Sequence, residues 1–161
     1  MSVSRRKFAQ WTGAVAALPL LSRRASAEAW PEGVQSSDLI YLTPLKSDGG
    51  ESSCQGEGWF QAHEDALYVV TAAGAWRAEA VRKGLARTRV WVGDVGTWSD
   101  SDGAYRSLPQ LELTGSLVVE PGLQSAVLEK MGEKYSMSWL VWGPRFRDGL
   151  ADGSRVMLRY A

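Results

Sequence analysis

The sequence predicts a mainly β domain with two or three helices: a small antiparallel barrel with helices packed on its outside. Three observations carry that expectation. Six or so short β-rich runs are separated by polar and glycine turns. Only two stretches have helical periodicity. The order is strand, strand, strand, helix, strand, strand, helix, strand, which lacks the strict alternation of a doubly wound parallel sheet.

The elements read as follows. Leu39–Thr43 is β-rich and lies between Ser36-Ser37-Asp38 and Pro44. Asp48-Gly49-Gly50, within the polar segment 47–53, is a hairpin signal. Gly58–Ala62 and Leu67–Thr71 are the next two strands, with His63-Glu64-Asp65 as their turn. Ala75–Lys83 has helical composition, with Trp76, Ala80 and Val81 on one side and Glu79/Lys83 as an i,i+4 pair; Gly84 is its stop. Thr88–Trp98 is a strand, Ser99–Gly103 a turn, and Tyr105–Glu120 a β region broken by Pro109 and Gly115. Pro121-Gly122 opens a helix on which Leu123, Val127 and Met131 recur at i, i+4 and i+8, continued by Tyr135, Trp139 and Trp142. Gly143-Pro144 is expected to end it, and Ser154–Tyr160 is the final strand.

The first 27 residues read as an address. Ser4-Arg5-Arg6-Lys7-Phe8 is a twin-arginine pattern, and the apolar run Phe8–Leu21 has 14 residues, too short to span a bilayer core of about 30 Å. Arg23-Arg24 then precede Ala25-Ser26-Ala27, a small-x-small cleavage site. The expectation is a twin-arginine signal peptide over 1–27, a mature domain over 28–161, no stable membrane span, and a periplasmic or other extracytoplasmic location. The twin-arginine route carries folded proteins, which favours a protein that loads a cofactor before export.

Charge narrows the partners. The 161 residues carry 18 Lys+Arg and 18 Asp+Glu. Five of the bases lie in the acid-free first 27 residues, leaving 13 bases against 18 acids, a balance of −5, from Glu28 onward. An acidic domain is a poor partner for nucleic acid. The lone cysteine, Cys54, can form no internal disulfide, and the lone histidine, His63, can anchor no Cys/His metal set. Cys54 lies in a polar loop without a basic neighbour and reads as a passive thiol. His63, in an acidic turn, reads as a solvent-exposed imidazole.

Two segments can carry chemistry. Thr71-Ala72-Ala73-Gly74-Ala75-Trp76-Arg77-Ala78 lies at a strand-to-helix junction, where free N–H groups and the positive helix end favour phosphate. Gly74 permits close approach, Thr71 offers a hydroxyl, and Arg77 can fork onto phosphate oxygens. The same residues also read as an ordinary helix start with a surface arginine. In Gly143-Pro144-Arg145-Phe146-Arg147-Asp148-Gly149, Arg145 and Arg147 either clamp an anionic substrate or pair with Asp148, Asp152 or Glu133 at the surface. Seven tryptophans follow residue 27, and their indole faces suit both core packing and stacking on a flat heteroaromatic ring.

A strand ending in Thr, a glycine turn, a base in the first helical turn and then a strand beginning Arg-Val together resemble the pyridoxamine 5′-phosphate oxidase-like split β-barrel superfamily. Thr71, Gly74 and Arg77 fall at the Thr, Gly and Lys places of its Thr-x-x-Gly-Ser-x-Lys-like phosphate stretch. Ala75 replaces the usual Ser, and Gly84-Leu85 the Asn-Pro often found before the next strand. The resemblance covers Asp38–Thr97 and beyond that rests on element order. It implies a homodimeric split β-barrel that binds FMN or the deazaflavin F420 and performs hydride-transfer redox chemistry. Leu42, Thr43 and Pro44 sit where family members contact the ring by backbone, Trp59 and Phe60 begin a strand lining the same groove, and Trp76 neighbours the phosphate anchor. No side chain stands out as a catalytic acid or base. The rival readings are a barrel that binds haem or a flavin-like metabolite without turnover, and an interaction module of the cell envelope.

Overall fold

A computed structural model describes residues 30, 31 and 33–161. The twin-arginine segment therefore lies outside the described residues. Seven strands form one antiparallel sheet: β1 (Leu39–Pro44), β2 (Gly56–Trp59), β3 (Gln61–His63), β4 (Ala66–Ala72), β5 (Arg87–Val92), β6 (Gln110–Val118) and β7 (Arg155–Tyr160). Helix α1 (Trp76–Arg82) follows β4, and the long kinked α2 (Pro121–Asp152) joins β6 to β7. The strand order is β2-β1-β5-β6-β7-β4-β3. The two end strands are consecutive in the chain and meet at Phe60, so the sheet curls into a nearly closed barrel with one seam. This is the predicted split-barrel architecture.

Strand alternation explains the packing. In β4, Leu67 and Val69 point inward to meet Ile40, Leu42, Val90 and Leu158. The intervening Ala66, Tyr68 and Val70 point outward and are covered by Val127, Met131, Tyr135 and Phe146 of α2. Buried on both faces, β4 reads as a continuous apolar run rather than an alternating one. A third small cluster stacks Tyr41 on Tyr105, with ring centroids 5.2 Å apart, and sets Trp91 edge-on to Tyr105.

The turns follow local chemistry. Gly49 takes φ 82° in the β1–β2 connection, and Gly84 takes φ 79° just after α1, both conformations that glycine adopts without a Cβ clash. The β3–β4 hairpin pairs His63 with Ala66 across Glu64-Asp65, with Glu64 at φ 53°.

Four element boundaries differ from the sequence reading. The strand expected over Gly58–Ala62 is two strands, because Phe60 is the corner at which the chain leaves β1 for β4. The strand expected to reach Trp98 ends at Val92. Tyr105 lies in a 3-10 turn that caps the third cluster rather than in a strand. Gly143-Pro144 does not end α2. The direction changes earlier, at Ser136 (φ 42°, ψ −109°), and the helix then runs to Asp152 and stops at Gly153 (φ 79°). Gly143 is a packing glycine: an ideal Cβ there would lie 2.7 Å from Trp139 Nε1, and one at Gly132 would lie 2.8 Å from the same atom. Seating Trp139 between these two glycines and burying Phe146 on the sheet outweighs the helix-breaking tendency of Pro144.

Candidate functional site

The seam beside Phe60 opens into a groove of about 450 Å³, within the range typical of small-molecule sites. β2 contributes Trp59, the end of β4 contributes Thr71, α1 contributes Arg77, the second half of α2 contributes Trp142 and Phe146, and β7 opens with Arg155. Trp59 is fixed by stacking on Tyr135 at 4.3 Å and 7°, and Trp142 meets it edge-on at 6.2 Å. Tyr135 is in turn tied to the corner: its hydroxyl accepts from Phe60 N–H at 2.8 Å and lies 2.8 Å from the carbonyls of Phe60 and Asp38.

Arg77 is the groove's principal cation. It lies against the face of β2 that Gly56 and Gly58 leave open; an ideal Cβ on Gly58 would come within 2.9 Å of its Nη1. Nη2 donates to the Glu57 carbonyl at 3.2 Å, the guanidinium sits 4.9 Å from the Trp76 ring centroid, and Nε is buried with no partner. Burial lowers its pKa, partly offset by the neighbouring Tyr160 hydroxyl and Glu57 carboxylate. Tyr160 answers in kind: burial pushes its hydroxyl up to about 12. Arg89 also has an unpartnered Nε, but two carboxylates engage it, Glu51 at 3.1 Å and Glu112 at 2.6 Å. Arg77 has only a backbone carbonyl, so its buried guanidinium keeps donors to spare.

Thr71 and Arg77 thus meet in one groove with Trp59, as the sequence reading groups them. The others stand elsewhere. Leu42 is in the barrel core, and Thr43 is fully buried with Oγ1 3.3 Å from the Ser52 carbonyl. Gly74 is exposed, and a Cβ there would touch nothing within 4 Å. Ala75 is the α1 N-cap without a side-chain cap bond, and Trp76 packs against the barrel core. Arg145 and Arg147 are exposed on α2 rather than in a turn, because the helix continues through Pro144; the Arg145 guanidinium lies 5.0 Å from the Trp142 ring centroid. Neither arginine forms an ion pair with the carboxylates considered from sequence, Asp148, Asp152 and Glu133. His63 is half-buried, 6.1 Å from the Tyr68 ring, and does not line the groove; Cys54 is half-buried.

Sequence reasoning missed Arg155 and Gly58. Arg155 reaches the site because β7 pairs Ala72 with Arg155, which no linear spacing announces. Gly58 had a signal: Gly56 and Gly58 alternate on one face of a strand, a pattern that marks close approach of another group to the backbone. Among the described residues, no cluster of three His, Cys, Asp or Glu could hold a metal ion, and no helix is long and apolar enough to cross a membrane.

No family model and no curated protein matches this chain in sequence. Solved structures do match in fold. HutZ, the heme storage protein from Vibrio cholerae, aligns with a TM-score of 0.55 at 14% identity over 80% of this chain and 84% of its own. A conserved hypothetical protein from Mycobacterium tuberculosis aligns at 0.54, with 18% identity over 80% and 75%. A candidate pyridoxamine 5′-phosphate oxidase from Listeria innocua aligns at 0.51, with 14% identity over 80% and 86%. With seven antiparallel strands, a seam at Phe60 and helices outside, the chain has the split β-barrel fold of pyridoxamine 5′-phosphate oxidase-like proteins.

Proposed function

We infer that this groove binds a flat, anionic redox cofactor, FMN or the deazaflavin F420, and that the protein is an exported oxidoreductase of the pyridoxamine 5′-phosphate oxidase-like kind. The observation that carries the reading is the buried, unpartnered Nε of Arg77 in a groove walled by Trp59, Trp142 and Phe146. The residues fit such a group: a guanidinium with spare donors and the Thr71 hydroxyl suit phosphate oxygens, and the aromatic walls suit a planar ring. When bound, the cofactor supplies hydride transfer, and the protein supplies position and electrostatics. Arg77 would hold the phosphate, Thr71 would add a neutral hydrogen bond, and the two tryptophans would keep water from the ring. A second copy is expected to cover Met137, Leu140 and Val141, which form one apolar stripe on α2 and are 78%, 71% and 54% exposed.

Haem storage without turnover is the second reading, favoured by the likeness to HutZ. The absorbance spectrum of protein purified after export separates the two: a flavin or deazaflavin band supports the first, a Soret band the second. Titration with FMN and F420 then tests the anchor. Arg77→Ala removes a charge-assisted pair worth roughly 1.5–3 kcal/mol, about ten- to a hundred-fold in affinity. Unchanged affinity would overturn the assignment of Arg77. Reduction of the bound cofactor by a nicotinamide or F420 donor would distinguish an enzyme from a carrier.

A further inference from the structure

A second and larger cavity, of about 630 Å³, lies between the end of β6, the two ends of α2 and the start of β7. Its walls are apolar, formed chiefly by Leu117, Val119, Leu128, Leu150 and Val156. Val119 is 74% exposed at the rim, and Leu117 is exposed beside it. Exposed branched side chains around a concavity are surface that an apolar ligand would remove from water.

The charge of the lining has one sign. Arg147 and Arg155 border the cavity, and no acidic residue does. Among the described residues neither arginine is in an ion pair or a side-chain hydrogen bond. The nearby Asp152 carboxylate accepts from Ser154 N–H at 2.8 Å and so caps its own turn. The seat of Arg155 is specific: an ideal Cβ on Gly149 would lie 2.7 Å from its Cγ and Cδ, so the stem crosses the helix where no side chain stands. Its guanidinium is held 5.3 Å from the Phe146 ring centroid. Arg155 borders the aromatic groove as well, whereas Arg147 borders only this cavity.

We propose that this cavity binds an amphipathic carboxylate, a free unbranched fatty acid whose head pairs with Arg147 and Arg155 and whose chain lies along Leu117, Val119, Leu128 and Leu150. The chemistry selects this class because two arginines can fork onto one carboxylate, while the walls, apart from Gln124 and Ser125, offer an alkyl chain apolar contact. The site meets the cofactor groove only at Arg155; Arg147, Leu117, Val119, Leu128 and Leu150 border this cavity alone.

The test is calorimetric titration of the full chain with dodecanoate below its micelle concentration, with acetate and dodecanol as comparators. Dodecanoate should bind once per chain, acetate not at all, and dodecanol more weakly. Arg147→Ala should weaken dodecanoate binding about ten-fold or more, and Val119→Asp should abolish it by placing a carboxylate on the path of the chain. Both side chains are exposed, so both variants should keep the wild-type thermal midpoint and circular dichroism. Absence of dodecanoate binding, equal binding of dodecanol, or binding unchanged in both variants would overturn the proposal. So would a wild-type dimer that ignores dodecanoate and that Val119→Asp splits, which would assign the face to a second copy.

Discussion

Tyr135→Phe tests how the barrel seam is held, and with it the wall of the groove. The Tyr135 ring is buried and stacks on Trp59, which Phe can largely preserve. The hydroxyl is the part that changes. It accepts from Phe60 N–H at 2.8 Å, and its single proton serves either the Phe60 or the Asp38 carbonyl, each at 2.8 Å. Without it, the Phe60 carbonyl still accepts from Lys134 Nζ at 3.1 Å, but the Phe60 amide loses its partner at a corner where β2 has ended and β3 has not begun. A buried donor left unpaired costs about 1–3 kcal/mol, and because the hydroxyl's bond to a carbonyl is lost with it, the upper part of that range, roughly 2–3 kcal/mol, applies. For a domain of this size that lowers Tm by roughly 6–15 °C. Scanning calorimetry on the two proteins measures it directly, and Tyr135→Leu, which also loses the stack, should fall further. A loss of less than about 2 °C, well below the range expected for an unsatisfied buried amide, would refute the idea that this hydroxyl holds the corner. The functional consequence follows from the same contacts. Trp59 is held by the stack, so a looser seam should also weaken cofactor binding.

Three further outcomes are expected. Gly58→Ala should displace Arg77, since the added Cβ would stand 2.9 Å from Nη1; FMN affinity should fall toward that of Arg77→Ala while the thermal midpoint hardly moves, because the displaced atom ends a flexible side chain. Lys134 is pulled down by burial from an ordinary 10.5 to about 8. Below pH 8 both states are protonated and the fold bears the full desolvation penalty; between 8 and 10.5 only the unfolded chain keeps the proton, so stability rises with pH. The Tm of the native protein should therefore gain on that of Lys134→Met between pH 7.5 and 9.5, and parallel curves would contradict this. Arg5→Lys combined with Arg6→Lys should strand the precursor in the cytoplasm, and normal processing and export of that double variant would remove the twin-arginine assignment.

The fold class and most of the strands were legible in the order of the amino acids. That information is local: short apolar runs, turn glycines such as Gly49 and Gly84, and the i, i+4, i+8 face of Leu123, Val127 and Met131 each specify their element without reference to the rest of the chain. It also joined Thr71 to Arg77, because a strand end and the first turn of the next helix are close in space whenever the loop between them is short. The tertiary structure decided what depends on distant contacts. Phe60 is a corner rather than a mid-strand residue because Tyr135, 75 positions away, satisfies its backbone. Helix α2 passes Gly143-Pro144 because Trp139 needs the space that Gly132 and Gly143 leave. That continuation sets Arg147 beside the apolar cavity and Trp142 beside the groove. Arg155 enters both only through strand pairing, with β7 laid against β4 so that it faces Ala72. Local propensity can start and stop an element, but which side chains share a cavity is set by pairing and packing between elements far apart in the chain.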